Sequence, residues 1–184
     1  MAAECPAADG SSERRTHFDA EPPMCIDPTH TYEATIVTNH GTMVAFLYPE
    51  RAPRTVNSFV FLARYHYFDG LTFYRIIRDF VIQGGCPEGS GRGNPGYRFA
   101  DELPKAGEYA VGSLAMANAG PDTNGSQFFV ISGGSGMKLP PQYSLFGKLI
   151  SGLDVLDEIQ KVATGRGDAP VDPVVIESVT ISES

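Results

Sequence analysis

Thirteen of the chain's 20 glycines lie between Gly84 and Gly136, and the apolar runs they separate are short, as in Val111–Ala117 and Phe128–Ile131. A helix needs a longer stretch free of glycine, so this part of the chain folds as short strands joined by turns. Upstream, Tyr32, Ala34 and Ile36 alternate with Glu33 and Thr35. His40-Gly41 then punctuates, and Met43–Tyr48 follows, which reads as a β-hairpin. Leu71–Ile77, Phe80–Gly85, Ser144–Ile150 and Val174–Ser182 bring the strand count to seven to nine. Two stretches alone have helical spacing. Val56, Phe59, Val60 and Ala63 fall at i, i+3, i+4 and i+7, with Pro53 near the first turn. Val155, Leu156, Ile159, Val162 and Ala163 do likewise after Ser151, with Asp154 placed as in a capping box. Strands and helices do not alternate, so a doubly wound parallel sheet is excluded. A closed, mainly antiparallel barrel or sandwich with helices over its open ends is expected instead.

The chain has 184 residues, 42% of them hydrophobic and 20% charged, which suits one folded domain with a core. Its formal charge is −8. Six acids and two arginines fall within residues 1–30, giving −4, so the remaining body also carries −4. An acid excess without a basic face argues against a nucleic-acid partner. No run approaches the roughly 18 apolar residues that span a bilayer, so no membrane role is expected. The first residues lack a basic start and an apolar stretch, which makes the cytoplasm the expected compartment. Residues 1–30, rich in Ala, Ser, Pro and acids, read as an extended N-terminal arm before a domain over 31–184. Met24 and Ile26 are its large aliphatic residues, so Pro22–Ile26 is expected to pack on the body and residues 1–15 to be loosely held. Cys5, Cys25 and Cys86 form no metal set, and free thiols are the reading adopted here. Pairing of Cys5 with Cys25, in a secreted protein, is the alternative.

Several motifs carry little. Gly91–Gly96 matches G-x-G-x-x-G, but Pro95 and a strand-like segment follow where a dinucleotide site needs a helix. Arg166-Gly167-Asp168 is a three-residue match in a turn, and Asn124-Gly125-Ser126 is a glycosylation sequon that matters only in a secreted chain. The four histidines are scattered, with no H-E-x-x-H, G-x-S-x-G or C-x-x-C, so metal hydrolysis and triad chemistry have no apparatus. Asp101-Glu102 and Asp157-Glu158 read as solvated surface. What stands out is polar residues inside apolar segments. Arg75 sits in F-Y-R-I-I, Gln83 ends FVIQGG, Asn118 closes LAMAN and Gln127 opens QFFV. A lone strand arginine is ordinarily a snorkelling one. Four such groups interleaved with Phe80, Val81, Met116 and Phe129 describe an apolar groove with a few fixed hydrogen-bonding heads.

At these residues the chain resembles the cyclophilin family of peptidyl-prolyl cis–trans isomerases. The resemblance is carried by Phe73–Ile77 with Phe80–Gly85, by Met116–Pro121 with Thr123–Phe129, and by Phe146-Gly147-Lys148, and it covers about residues 31–184. It implies a closed eight-stranded antiparallel β-barrel capped by two α-helices, active as a monomer on proline-containing polypeptides without metal or cofactor. Residue by residue it implies catalytic roles for Arg75, Phe80, Gln83 and Asn118. It implies substrate contacts from Val81, Gly89, Met116, Ala117, Ala119, Gln127, Phe129, Leu139 and Tyr143. Many members carry a Trp-Leu pair and then a His on the loop after Q-F-F. Here that loop reads Lys138-Leu139-Pro140-Pro141-Gln142-Tyr143 and the chain has no Trp, so weakened cyclosporin binding is expected. A proline-peptide binding module without turnover, or a docking domain for the acidic arm, are the competing readings.

Overall fold

Alternation along Tyr32–Thr38 (β1) and Gly41–Leu47 (β2) buries one side of each strand, and the two pair as the expected hairpin, from Glu33 facing Phe46 to Thr38 facing Gly41. Six further strands join them: Arg75–Ile77 (β3), Val81–Gly84 (β4), Ser113–Met116 (β5), Phe128–Ile131 (β6), Leu145–Ser151 (β7) and Ile176–Glu183 (β8). This computed structural model describes residues 3–184, and what was expected of residues 1 and 2 lies outside them. All eight strands form one antiparallel sheet in the order β3-β4-β6-β5-β7-β2-β1-β8. The expected closed barrel is corrected to a curled, open sheet. No ladder joins β3 to β8 among the described residues; their flanks meet at the isolated bridge of Thr72 with Val175, where Phe73 N–H donates to Val174 O at 2.9 Å, Ile176 N–H to Leu71 O at 2.7 Å and Gly70 N–H to Ile176 O at 2.8 Å. β3 is three residues long, too short to reach β8 along its length.

The inner face holds the main core, in which Tyr32, Ile36, Met43, Leu47, Ile76, Ile82, Leu114, Phe128 and Phe146 are buried. Helix Pro53–Arg64 (α1) lays its apolar face on this core. The Phe59 ring lies 5.1 Å from Phe68, 5.5 Å from Phe128 and 5.1 Å from Phe146, mostly in tilted or edge contacts. No side chain next to the helix start caps it. The Glu102 carboxylate does so from a distant loop, accepting from Thr55 N–H at 2.7 Å and Thr55 Oγ1 at 2.8 Å. Asp101 accepts from Asn124 Nδ2 at 2.8 Å. The solvated-surface reading of Asp101-Glu102 is therefore corrected. These two acids satisfy helix and loop donors.

Among the described residues three α-helices are present where two were expected, because a four-residue helix, Gly134–Met137 (α2), follows β6. The third, Leu153–Gln160 (α3), buries Leu156 and Ile159 and starts two residues after the expected cap. Ser151 belongs to β7, and Gly152 caps the helix at φ +87°. A Cβ at Gly152 would lie 2.5 Å from Thr42 O, so only glycine fits. Among the described residues no helix is long and apolar enough to cross a membrane.

Residues 3–30 contain no helix or strand, but several are tightly held. Cys5 and Cys25 are disulfide-bonded, which overturns the free-thiol reading for this pair, while Cys86 is a free, buried thiol. Closing a loop of this size contributes about 3 kcal/mol. Pro22 and Ile26 are buried as expected, whereas Met24 is 52% exposed. Loose tethering before residue 15 is also corrected. Tyr65 Oη donates to Glu4 O at 2.8 Å, and Arg14 Nη2 donates to Asp69 O at 2.8 Å. Gly10 O is 2.8 Å from His66 Nε2.

Candidate active site

Strand alternation puts a second, smaller apolar cluster on the outer face of the sheet. In β4, Val81 and Gln83 face outward while Ile82 faces the main core; in β6, Phe129 and Ile131 face outward while Phe128 and Val130 face in. The register then aligns a cross-strand row. Arg75 stands opposite Gln83, Gln83 opposite Phe129, and Phe129 opposite Ala115. Above this row lies a groove of about 200 Å3 lined by Arg75, Phe80, Val81, Gln83, Ala117, Asn118, Phe129, Leu139 and Tyr143.

The groove's parts are held by different devices. Arg75 Nη1 donates to Gln83 Oε1 at 3.3 Å, and Gln83 Nε2 donates to Tyr74 Oη at 2.7 Å. Tyr74 in turn donates to Gln127 Oε1, and Gln127 Nε2 donates to Gly91 O at 2.9 Å and Gly93 O at 3.0 Å. One phenol thus fixes the orientation of both amides. Burial pushes the Tyr74 phenol above its ordinary pKa, so it stays a donor at neutral pH. Phe80 follows a turn locked by the segment after β6. Ser132 N–H donates to Phe80 O at 3.0 Å, and the Asp79 carboxylate accepts from Gly134 N–H at 2.9 Å and Ser135 Oγ at 3.0 Å. Those donors hold the Asp79 carboxyl below the usual carboxylate range. Across the groove the Tyr143 ring meets Phe129 edge to face at 5.5 Å, while Tyr109 Oη donates to Tyr143 O at 2.6 Å. Asn118 Nδ2 donates to Gln142 O at 2.9 Å, tying the same loop down. Asn118 lines the groove, and its backbone N–H and C=O make no hydrogen bond among the described residues.

A second cavity of about 140 Å3 adjoins the first and shares Gln83, Ala117 and Asn118 with it. Ala119 and Gln127 belong here, together with Arg92, Asn94, Arg98 and Thr123. Among the described residues no Asp or Glu lines it. Asn124, of the sequon, is fully buried with its amide nitrogen bonded to Phe99 O and Asp101, so it offers no glycosylation site.

Of the thirteen residues singled out from the sequence, the structure gathers nine around the groove and two around the adjoining cavity. Met116 and Gly89 are the exceptions. Met116 is 3% exposed in the main core, because it alternates with Ala115 along β5 and so shares the inner face with Leu114. Gly89 sits on an exposed turn that lines neither cavity. Lys138 is exposed and outside the groove, whereas Leu139 lines it. Sequence reasoning missed Tyr74, Arg92 and Arg98. Position 74 could have been flagged as a polar-tipped residue beside Arg75; the arginines lie in glycine-rich loops without periodicity.

The chain matches the family model for cyclophilin-type peptidyl-prolyl cis-trans isomerases over residues 34–181. It is 45% identical over 173 residues to the peptidyl-prolyl cis-trans isomerase A of Mycobacterium tuberculosis, covering 84% of this chain and 94% of that one. It is 44% identical over 161 residues to the human peptidyl-prolyl cis-trans isomerase-like 1, covering 85% of this chain and 95% of that one. A crystal structure of a Cryptosporidium parvum cyclophilin-type isomerase superposes with a TM-score of 0.78 at 31% identity, covering 84% of this chain and 99% of that one. The same isomerase in the presence of the dipeptide Ala-Pro gives a TM-score of 0.77 at 33% identity, covering 83% and 99%. With the family model matching residues 34–181 and relatives at 44–45% identity covering most of both chains, this protein belongs to the cyclophilin-type peptidyl-prolyl cis-trans isomerase family.

Proposed function

We propose that the groove over β3, β4, β6 and β5 binds an X–Pro segment, with Arg75 as the group that acts on the rotating amide. The X–Pro bond keeps partial double-bond character, with a rotation barrier of about 18–20 kcal/mol. At the top of that barrier resonance is lost, and the prolyl nitrogen regains a basic lone pair. Stabilising this state needs a fixed donor in a dry site rather than a nucleophile or a proton shuttle. Phe80, Val81, Phe129, Leu139 and Tyr143 supply the apolar walls for a proline ring. Arg75 supplies a permanently charged fork of donors aimed over the same floor. The unpaired backbone groups of Asn118 hold the chain on one side of the amide while the other side turns. Arg92 and Arg98, with no carboxylate beside them in the second cavity, favour polar or anionic side chains flanking the proline.

The observation that carries this reading is the row Arg75–Gln83–Phe129: a cation, an oriented amide and an aromatic ring abreast on one face. The Cys5–Cys25 bond favours a compartment more oxidising than the cytosol. NMR exchange spectroscopy on a short Ala-Pro peptide tests the site. Cis–trans exchange peaks should appear at substoichiometric protein and vanish with Arg75→Ala. Peptide shifts without exchange would leave the groove a binding module only.

A further inference from the structure

The segment Gly91–Gly96 forms one wall of the second cavity through Gly91, Arg92, Gly93 and Asn94. Its sequence, GRGNPG, gives it little stiffness of its own, and it belongs to no strand. It is tied to its own flank, with Gly91 N–H donating to Cys86 Sγ at 3.3 Å and Arg92 N–H to Ser90 Oγ at 3.2 Å, and it is held from two further sides. On the cavity side, Gln127 Nε2 donates to Gly91 O and Gly93 O. On the outer side the tie comes from the N-terminal arm, which lies before the region matched by the family model. Phe18 N–H donates to Pro95 O at 2.8 Å. A Cβ on Gly96 would lie 2.1 Å from Phe18 O, so the two backbones are in direct contact and only glycine is accommodated. The Phe18 ring is 1% exposed, with its centroid 4.8 Å from Phe61, 5.4 Å from Tyr65 and 6.5 Å from Tyr97. Arg15 covers it at 4.9 Å. Phe18 lies between the two bonded cysteines, so the Cys5–Cys25 bond closes the loop that carries it.

We propose that Phe18 is a positioning residue for the isomerase. Through Pro95 and Gly96 it holds the wall of the second cavity, and this makes recognition of the residues flanking the proline depend on the arm and on its disulfide. The kinetic part of the proposal rests on the isomerase reading of the groove. Arg75, Gln83 and Phe129 are held by their own strand ladders, and the wall reaches Gln83 only through Gln127 and Tyr74, so the effect of the arm falls on the second cavity rather than on the amide itself. With the arm released, the glycine-rich wall samples many conformations and the substrate must select the competent one. Apparent affinity then falls by the fraction of time the wall is formed.

The test compares the full chain with Phe18→Ala, Phe18→Leu and the double variant Cys5→Ser/Cys25→Ser on two peptides. One is a blocked X–Pro dipeptide confined to the groove, and the other a hexapeptide reaching across both cavities. Phe18→Ala should raise KM for the hexapeptide about tenfold, while kcat and the dipeptide KM stay within about twofold. Phe18→Leu should recover most of the loss, and the double cysteine variant should shift the same KM by about threefold. Amide exchange at Gly91, Gly93 and Gly96 should quicken in Phe18→Ala. A folded Phe18→Ala protein with unchanged hexapeptide KM, or one that loses both substrates equally, overturns the proposal. Should Phe18→Ala fail to fold, the cysteine variant decides, and an unchanged hexapeptide KM there overturns it. If the natural protein turns over neither peptide, the isomerase reading fails by itself. The coupling is then decided by the glycine exchange rates and the hexapeptide Kd, and no change in either overturns it.

Discussion

Arg75 and Gln83 face each other across the β3–β4 ladder, and the guanidinium donates to the amide oxygen at 3.3 Å. The partner is neutral, so the arginine keeps its full charge for a ligand while one end of its fork is fixed. Removing it deletes a preorganised donor from an apolar groove. Arg75→Ala is expected to leave the fold intact by circular dichroism and to lower kcat/KM by about two to three orders of magnitude, roughly 2.7–4 kcal/mol of transition-state stabilisation. Arg75→Lys should recover little, because a single ammonium cannot both bond Gln83 and reach the amide. Near-natural turnover in a folded Arg75→Ala protein sinks this mechanism.

Tyr74 takes a hydrogen bond from Gln83 and gives one to Gln127, so its hydroxyl sets which end of each amide faces the groove. Tyr74→Phe keeps the ring and leaves one amide nitrogen and one amide oxygen without their partner. A loss of about 1–3 kcal/mol is the usual penalty for such a buried mismatch. kcat/KM is expected to fall about tenfold, with Tm lowered by a few degrees. Activity within twofold of the natural protein would show that the amides hold their orientation without the phenol.

Much of this arrangement is legible in the sequence because it is local. Alternation gives the β1–β2 hairpin, and i, i+3, i+4 spacing gives α1. Arginine and glutamine inside apolar strands mark the groove. What fails to show is long-range. Glu102 reaches α1 from 47 positions away, and no pattern near Thr55 announces it. Met116 belongs to the matched motif but faces the main core with Leu114, the opposite side of β5 from Ala115, and a motif match does not show which face a residue takes. Phe18 lies in a stretch without periodicity, so its burial depends wholly on Phe61, Tyr65 and Tyr97 arriving from elsewhere. Closure of the barrel is likewise unreadable, because it depends on how far β3 extends rather than on its composition.

The pH response should differ between activity and stability. The groove holds no Asp, Glu, His or Cys, so kcat/KM is expected to be flat from about pH 6 to 8. Stability is governed elsewhere. Glu183 accepts from Arg64 at 2.7 Å, from Tyr32 at 2.8 Å and pairs with His30, and these donors hold its carboxyl down at about 2. A carboxyl lowered on folding stabilises the protein above its unfolded value near 4.3, and that contribution drains away as pH falls from there towards 2. The partner His30 is raised by the same contact. Its contribution is full below about 6.5 and is lost as pH rises through its raised folded value. Thermal melts from pH 2 to 8 should show the acid loss in the natural protein and a shallower one in Glu183→Gln. Identical acid slopes would place the acid sensitivity at other carboxyls.

Inhibition by cyclosporin should be weak. In many family members a loop Trp gives the cyclic peptide a large flat contact and an indole N–H donor. Here α2 runs into Lys138, which is exposed and outside the groove, and the loop returns to the groove only at Leu139 and Tyr143. Leu139 supplies apolar surface without a donor, and the Tyr143 ring is already committed to Phe129 at 5.5 Å. Loss of one aromatic anchor from a buried contact costs about 2 kcal/mol or more, roughly thirtyfold in affinity. Turnover of small peptides should therefore persist while the inhibition constant is one to two orders of magnitude weaker, about 1.4–2.8 kcal/mol, than in Trp-bearing relatives. Leu139→Trp puts an indole where the loop meets the groove and should tighten inhibition, whereas Lys138→Trp should change it little. Titrating both variants against one peptide substrate separates the cases. Inhibition of the natural protein as strong as that of Trp-bearing relatives, or tightening by Lys138→Trp alone, would mean that the loop meets the ligand differently from the way Leu139 and Tyr143 place it.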